Sequence, residues 1–269
     1  MKSREELQAI MATTLEHNDV EGLIKIINDA LQSQLEINHI KQAICLLSIH
    51  PSGNNILHYA VENNAQQLEN ILINENLIPA TFYNRKNGNG DTPLVLAVKH
   101  QNYNYAKAAL KNGANPNILT SSYIRPTPLH IASHNCDIEM IKLLLAHKDI
   151  CVPKNLLFFA IDTSPFKEVN ENDRTNIVKL LIKNGCNILV KYNDKTLLEI
   201  MEHNKNNLPH VYKYDEELFA TISKEIQERT RFHYSAPLLF WASKNDNDSS
   251  VYGLPQDCIQ YITNATNYL

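Results

Sequence analysis

The sequence predicts an all-α solenoid of stacked helix-turn-helix units joined by short hairpin tips, and three observations carry that expectation. Four segments repeat one another: Asn54-Asn55-Ile56-Leu57-His58-Tyr59-Ala60, Asp91-Thr92-Pro93-Leu94-Val95-Leu96-Ala97, Pro126-Thr127-Pro128-Leu129-His130-Ile131-Ala132 and Lys154-Asn155-Leu156-Leu157-Phe158-Phe159-Ala160. Their alanines, Ala60, Ala97, Ala132 and Ala160, scatter about a period of roughly 33 residues, which belongs to a repeat built from two helices. Each segment is followed by a second apolar helical pattern, as in Met140-Ile141-Lys142-Leu143-Leu144-Leu145 and Ile177-Val178-Lys179-Leu180-Leu181-Ile182. Two of these second helices run into Asn112-Gly113 and Asn184-Gly185, where glycine can take the left-handed conformation that ends a helix.

Taken in order, residues 4–17 and the stretch from Asn18 to Ile27 read as the two helices of a degenerate first unit. An additional stretch around residues 32–50 follows, so residues 1–50 form an N-terminal capping unit with an extension. Residues 51–205 hold the clear repeats, with an insertion from Thr163 to Asp173 between the two helices of the fourth. Lys195-Thr196-Leu197-Leu198-Glu199-Ile200 opens a fifth unit. Its outer helix is expected from Asp215 to Arg229, because Leu218, Phe219, Ile222 and Ile226 fall at helical spacing. Residues 206–243 are then C-terminal capping helices, and 244–269 a polar linker with a terminal helix. End units have nothing stacked on their outer face, so their departure from the pattern is expected.

Thr127-Pro128-Leu129-His130 is the TPLH signature of the ankyrin-repeat family, and Asp91-Thr92-Pro93-Leu94 resembles it with Val95 at the histidine position. Its physical sense is plain. Thr caps the first helix, Pro sits in the first turn where its missing N–H costs nothing, Leu enters the core, and the small alanine lets paired helices approach. The resemblance covers about residues 50–205. It implies an ankyrin solenoid whose business is holding a protein partner, with His58 and His130 hydrogen-bonding neighbouring backbone. It also brings a similarity to the ankyrin effectors of intracellular bacteria, which act on host proteins after delivery into the host cytosol.

A solenoid of this kind offers a groove lined by its first helices and its tips. Phe82, Tyr83, Arg85 and Lys86 lie on the longest tip, Tyr123 and Arg125 on the next, and Tyr192 on a third. Tyr and Arg combine large contact area with polar handles and dominate binding energetics. On the first helices, the positions just beyond the core alanine should face the groove: Glu62 and Asn63, Lys99 and His100, His134 and Asn135, Asp162 and Thr163.

Composition excludes several alternatives. The net charge of −4 gives no global attraction to nucleic acid, so a basic contact surface has to be local. No apolar run approaches the roughly 20 residues that cross a bilayer, and the N-terminus reads as an amphipathic helix rather than a signal peptide. Five scattered cysteines with no CxxC fit a reducing, cytoplasmic compartment and mostly buried free thiols, Cys151 and Cys186 among them. No HExxH, GxSxG or phosphate-cradling glycine loop is present, and no histidine has cysteine or carboxylate companions at zinc-like spacing. A monomeric, non-catalytic protein without metal or cofactor is expected. Lys224, Arg229, Arg231 and His233 are offset by Glu225 and Glu228 and read as a solvated helix face.

Near the end, Leu254-Pro255-Gln256-Asp257-Cys258-Ile259-Gln260-Tyr261-Ile262 resembles the opening of an F-box, the helical module that docks on a Skp1-type ubiquitin-ligase adaptor. By that analogy Leu254, Pro255, Ile259 and Ile262 would dock, although the chain stops well short of a complete F-box. The other reading is a final helix that caps the solenoid, with Pro255 in its first turn.

Overall fold

The computed structural model describes residues 3–33, 35–47, 53–161, 171–191, 194–207 and 216–228. The chain divides into two units, Met1–Ile222 and Ser223–Leu269. Of the second, only residues 223–228 are described, the end of a helix over 216–228 that carries a Lys224–Glu228 pair at 3.9 Å. Among the described residues there is no β-strand.

Helices α1 (Arg4–Glu16) and α2 (Val20–Gln32) form the expected N-terminal pair. Ser3 and Glu6 exchange hydrogen bonds in a capping box that starts α1. The additional stretch is not a loop: Ile37–Leu46 is a helix, α3, that buries Ile40, Ala43 and Ile44 and packs on α1 and α2. The first clear repeat is α4 (Ile56–Glu62) with α5 (Gln66–Asn74), the second α6 (Pro93–Lys99) with α7 (Tyr103–Lys111), the third α8 (Pro128–His134) with α9 (Ile138–Leu145). The fourth is α10 (Leu156–Ile161) with α11 (Glu171–Lys183), so the last three residues of the expected insertion are helical. Helix α12 (Leu197–Asn207) opens the fifth, and the helix at 216–228 buries Leu218 and Ile222.

Two rows of helices result. Inner helices α4, α6, α8, α10 and α12 pack each on the next, and outer helices α5, α7, α9 and α11 each pack on the inner helix of their own repeat. The core lies between the rows, where Leu57, Leu68, Leu94, Ala97, Ala106, Leu129, Ala132, Ile141, Leu157 and Val178 are almost wholly buried. Ala60, Ala97 and Ala132 each accept a backbone N–H from five residues on at 2.8, 2.8 and 3.0 Å, which closes the turn into the outer helix. That turn places Asn64, Gln101 and Cys136 at positive φ, 49°, 56° and 53°, where glycine would be unstrained. The far turns use Gly113 and Gly185, as the sequence indicates.

Asparagine side chains staple successive repeats. Asn84 accepts from Asn115 N–H at 2.7 Å and donates to the Gly113 carbonyl at 3.0 Å. Asn117 does the same one repeat later, with Cys151 N–H at 2.8 Å and the Asp149 carbonyl at 2.7 Å. At the base of the tips Asn87 donates to Asn54 at 2.9 Å, and Gly90 lies so close to Ser121 that no side chain would fit there.

Candidate protein-binding surface

The signature residues come first, because they fix the frame on which the surface stands. Asn55, Thr92 and Thr127 cap α4, α6 and α8 with their side-chain oxygens, and Pro93 and Pro128 occupy the first turns of α6 and α8. His58 accepts the Asn55 N–H on Nδ1 at 3.1 Å, so its ring proton sits on Nε2 and is donated to the Asp91 carbonyl at 2.9 Å. His130 accepts the Thr127 N–H on Nδ1 at 3.1 Å and donates from Nε2 to Asn155 Oδ1 at 2.9 Å. Burial holds both imidazoles below the ordinary histidine range, His58 at about 4, so each is neutral and engaged on both nitrogens. They are struts between repeats. Among the described residues no group of three His, Cys, Asp or Glu is placed to hold a metal ion.

The expected contact residues separate into three groups. Arg85, Lys86, Tyr123 and Arg125 are exposed on the tips of the second and third repeats. Lys99 and His100, at the end of α6, are exposed, while His134 and Asn135, at the end of the neighbouring α8, are half-buried. Lys99 reaches back along its helix to Asp91 at 2.5 Å, and Glu62 one repeat earlier accepts from Asn54 at 2.7 Å.

Phe82 and Tyr83 require correction. Residues Ala80–Asn84 wind into a 3-10 turn packed on α6, and both aromatic side chains are buried. The Phe82 carbonyl accepts from Asn55, and the Arg85 guanidinium stands 5.9 Å from the Phe82 ring centroid. These rings continue the apolar run of Leu77 and Ile78 into the seam between repeats, so they build the tip and leave its surface to Arg85 and Lys86.

Asp162, Thr163, Tyr192, Leu254, Pro255, Ile259 and Ile262 lie outside the described residues. Of the four cysteines among the described residues, only Cys186 is buried; Cys45 and Cys136 are half-buried and Cys151 is exposed. Cys151 stays at the surface because its segment is an exposed strap whose backbone, not its thiol, is held by Asn117.

Two features escaped the sequence reading. The tip of the third repeat exposes Ile124 (64%) and Leu119 (38%) beside the expected Tyr123, on a turn where Arg125 has φ 50°. A turn signal was present in Ser121-Ser122, but nothing local says the apolar pair points outward. The second feature is Glu69, 1% exposed on α5, which accepts from Gln66 at 2.9 Å through Oε2 while Oε1 has no hydrogen-bond partner. Burial pushes its carboxyl up to about 7; burial also holds the Tyr83 and Tyr105 phenols up, Tyr83 at about 12, with the Glu69 charge adding to it. The Tyr105 hydroxyl is likewise buried without a partner.

Comparison with known proteins agrees with this geometry. The family model described as ankyrin repeats in three copies matches residues 22–120, and the single ankyrin repeat matches residues 127–155. These residues are ankyrin repeats. The chain is 36% identical over 103 residues to an ankyrin repeat protein of fowlpox virus (strain NVSL), across 38% of this chain and 13% of that one. It is 25% identical over 168 residues to an ankyrin repeat protein of Acanthamoeba polyphaga mimivirus, across 50% of this chain and 22% of that one. Human transient receptor potential cation channel subfamily A member 1 shares 34% identity over 97 residues, 36% of this chain and 8% of the channel. The matched region thus spans less than a quarter of each of these relatives.

Two solved structures share the fold. The ankyrin repeat protein EF0377 superposes with a TM-score of 0.56 at 20% identity, covering 81% of this chain and 96% of that one. A chain from the complex of predatory endopeptidase Bd0816 of Bdellovibrio bacteriovorus with immunity protein Bd3460 gives 0.53 at 19%, covering 80% and 97%. The sequence relatives are from two viruses and an animal, and they do not carry the expected similarity to bacterial effectors.

Proposed function

We propose that the protein holds a partner protein on the inner helices and tips of its second and third repeats and performs no reaction of its own. The supporting observation is the tip of the third repeat, where Tyr123 and Ile124 stand exposed beside Arg125 on a stack of packed repeats. Exposed aromatic and apolar side chains on a pre-organised surface lose little entropy on binding and desolvate favourably. Arg85 and Lys86 on the preceding tip, with His100, His134 and Asn135 on the helix ends, complete the surface. In this reading the protein is an effector that recruits or blocks a host protein in the cytosol.

Proximity labelling in host-like cells tests it, using the full chain and a variant with Arg85, Tyr123 and Arg125 changed to alanine. The variant should fold as the parent does and lose the main labelled partner. Equal labelling by both chains would place the contact elsewhere.

An adaptor role, in which Leu254, Pro255, Ile259 and Ile262 dock Skp1, rests on the sequence pattern alone. Deleting residues 251–269 separates the two: Skp1 recovery that vanishes with the deletion supports the adaptor, and no Skp1 with the full chain sinks it.

A further inference from the structure

From residue 77 to residue 136 the chain contains a single carboxylate, Asp91, against Arg85, Lys86, Lys99, Lys107, Lys111 and Arg125, in a protein whose net charge is −4. Asp91 is buried, and its Oδ2 is neutralised by Lys99, so the second repeat and the tip of the third repeat show solvent no negative side chain. Arg85 and Lys86 on one tip and Arg125 on the next are exposed. Gly90 on the first of these tips lies directly against Ser121 on the second. His100 and His134 stand at the ends of the adjacent helices α6 and α8. Between the cations stand the exposed Tyr123 and Ile124.

We infer that the partner seated on the second and third repeats is an acidic polypeptide segment that places an apolar side chain against Tyr123 and Ile124. This rests on the binding role proposed above and specifies its chemistry. Complementary charge raises the encounter rate and rejects neutral or basic competitors, while the desolvated apolar contact slows dissociation. A single-stranded nucleic acid would use the cations and stack a base on Tyr123 but offers Ile124 no aliphatic counterpart, and so fits less of the surface.

The test is a random-peptide display selection on the full chain, repeated on two folded variants. One carries Arg85→Glu, Lys86→Glu and Arg125→Glu; the other carries Lys107→Glu and Lys111→Glu on the outer helix α7. The expected result is enrichment of peptides rich in Asp and Glu around an apolar residue. Synthetic versions should bind the tip variant at least ~10-fold more weakly and the α7 variant unchanged. Raising the salt from low to high should weaken parental binding by a similar factor, as screening requires.

Neutral or basic peptides that still lose binding in the tip variant would overturn the acidic assignment and leave the binding surface standing. Acidic peptides lost only in the α7 variant would overturn both. A fluorescent single-stranded oligonucleotide that binds the tips where selected peptides do not would also overturn the inference, as would a selection that enriches no peptide.

Discussion

Helices α4 and α6 stand side by side, with the same length and a core alanine at the same place, yet they reach the next repeat by different means. On α4, His58 caps its own helix and donates across the seam to Asp91, so the first and second repeats are joined by a directed bond. On α6 the same position is Val95, fully buried, and the seam to α8 is closed there by apolar contact. A buried Val contributes on the order of 1.5–3 kcal/mol, and two hydrogen bonds contribute about 1 kcal/mol each. The two solutions are of similar strength. What histidine adds is geometry, because its two nitrogens admit one relative placement of cap and neighbour. The histidine in TPLH is therefore a joint, and a reading of it as a ligand or a base has nothing to stand on here.

The hardest way to break this comparison is His58→Ala, which removes both bonds and leaves a cavity beside the Asn55 cap. A loss of about 3 kcal/mol is expected from denaturant unfolding. His130→Ala should lose less, about 1–2 kcal/mol, since its distal bond goes to the Asn155 side chain rather than to a buried carbonyl. His58→Val, which copies α6, should recover part of the alanine loss. If it does not, the seams are not equivalent.

The acid dependence of stability sharpens the same point. The pKa of His58 is held down to about 4 from an ordinary value of 6.5. Its contribution is therefore fully present above pH 6.5 and is lost as pH falls toward 4. Glu69 acts in the other direction: its pKa is pushed up to about 7 from 4.5, so stability is fully present below 4.5 and is lost as pH rises through 7. Thermal unfolding against pH should show both slopes in the parent. His58→Val should flatten the acid slope. Glu69→Gln should flatten the upper slope and stabilise by roughly 1–2 kcal/mol at pH 8.

The smallest expected effect is Gln101→Gly, which relieves a left-handed residue in the turn after α6. It should raise stability by about 0.5–1 kcal/mol, and the same change at Lys99, in regular helix, should lower it.

How much of this was readable in the sequence depended on whether a signal was local. Thr92, Pro93, Thr127, Pro128, the core alanines and Gly113 act within one turn of chain, and they announced the helix starts, the close packing and the far turns. Phe82 and Tyr83 looked like hot-spot candidates because their burial is decided by packing on α6, which the local pattern does not report. Helix α3 carries no repeat signature, and only its packing on α1 makes it necessary. The left-handed Asn64, Gln101 and Cys136 lack the glycine that marks such turns. The basic character of the surface was visible in composition once residues 77–136 were considered apart from the whole, since the overall charge of −4 conceals it.

The asparagine staples have a kinetic consequence. Asn84 and Asn117 each clasp backbone about one repeat further on, so the loops they close are one repeat long wherever they occur in the stack. Closure entropy grows with the logarithm of loop length, and folding speed follows the mean separation of contacts rather than the total length. A stack tied this way can therefore gain repeats without gaining any slower step, and folding can begin at whichever pair of neighbours meets first.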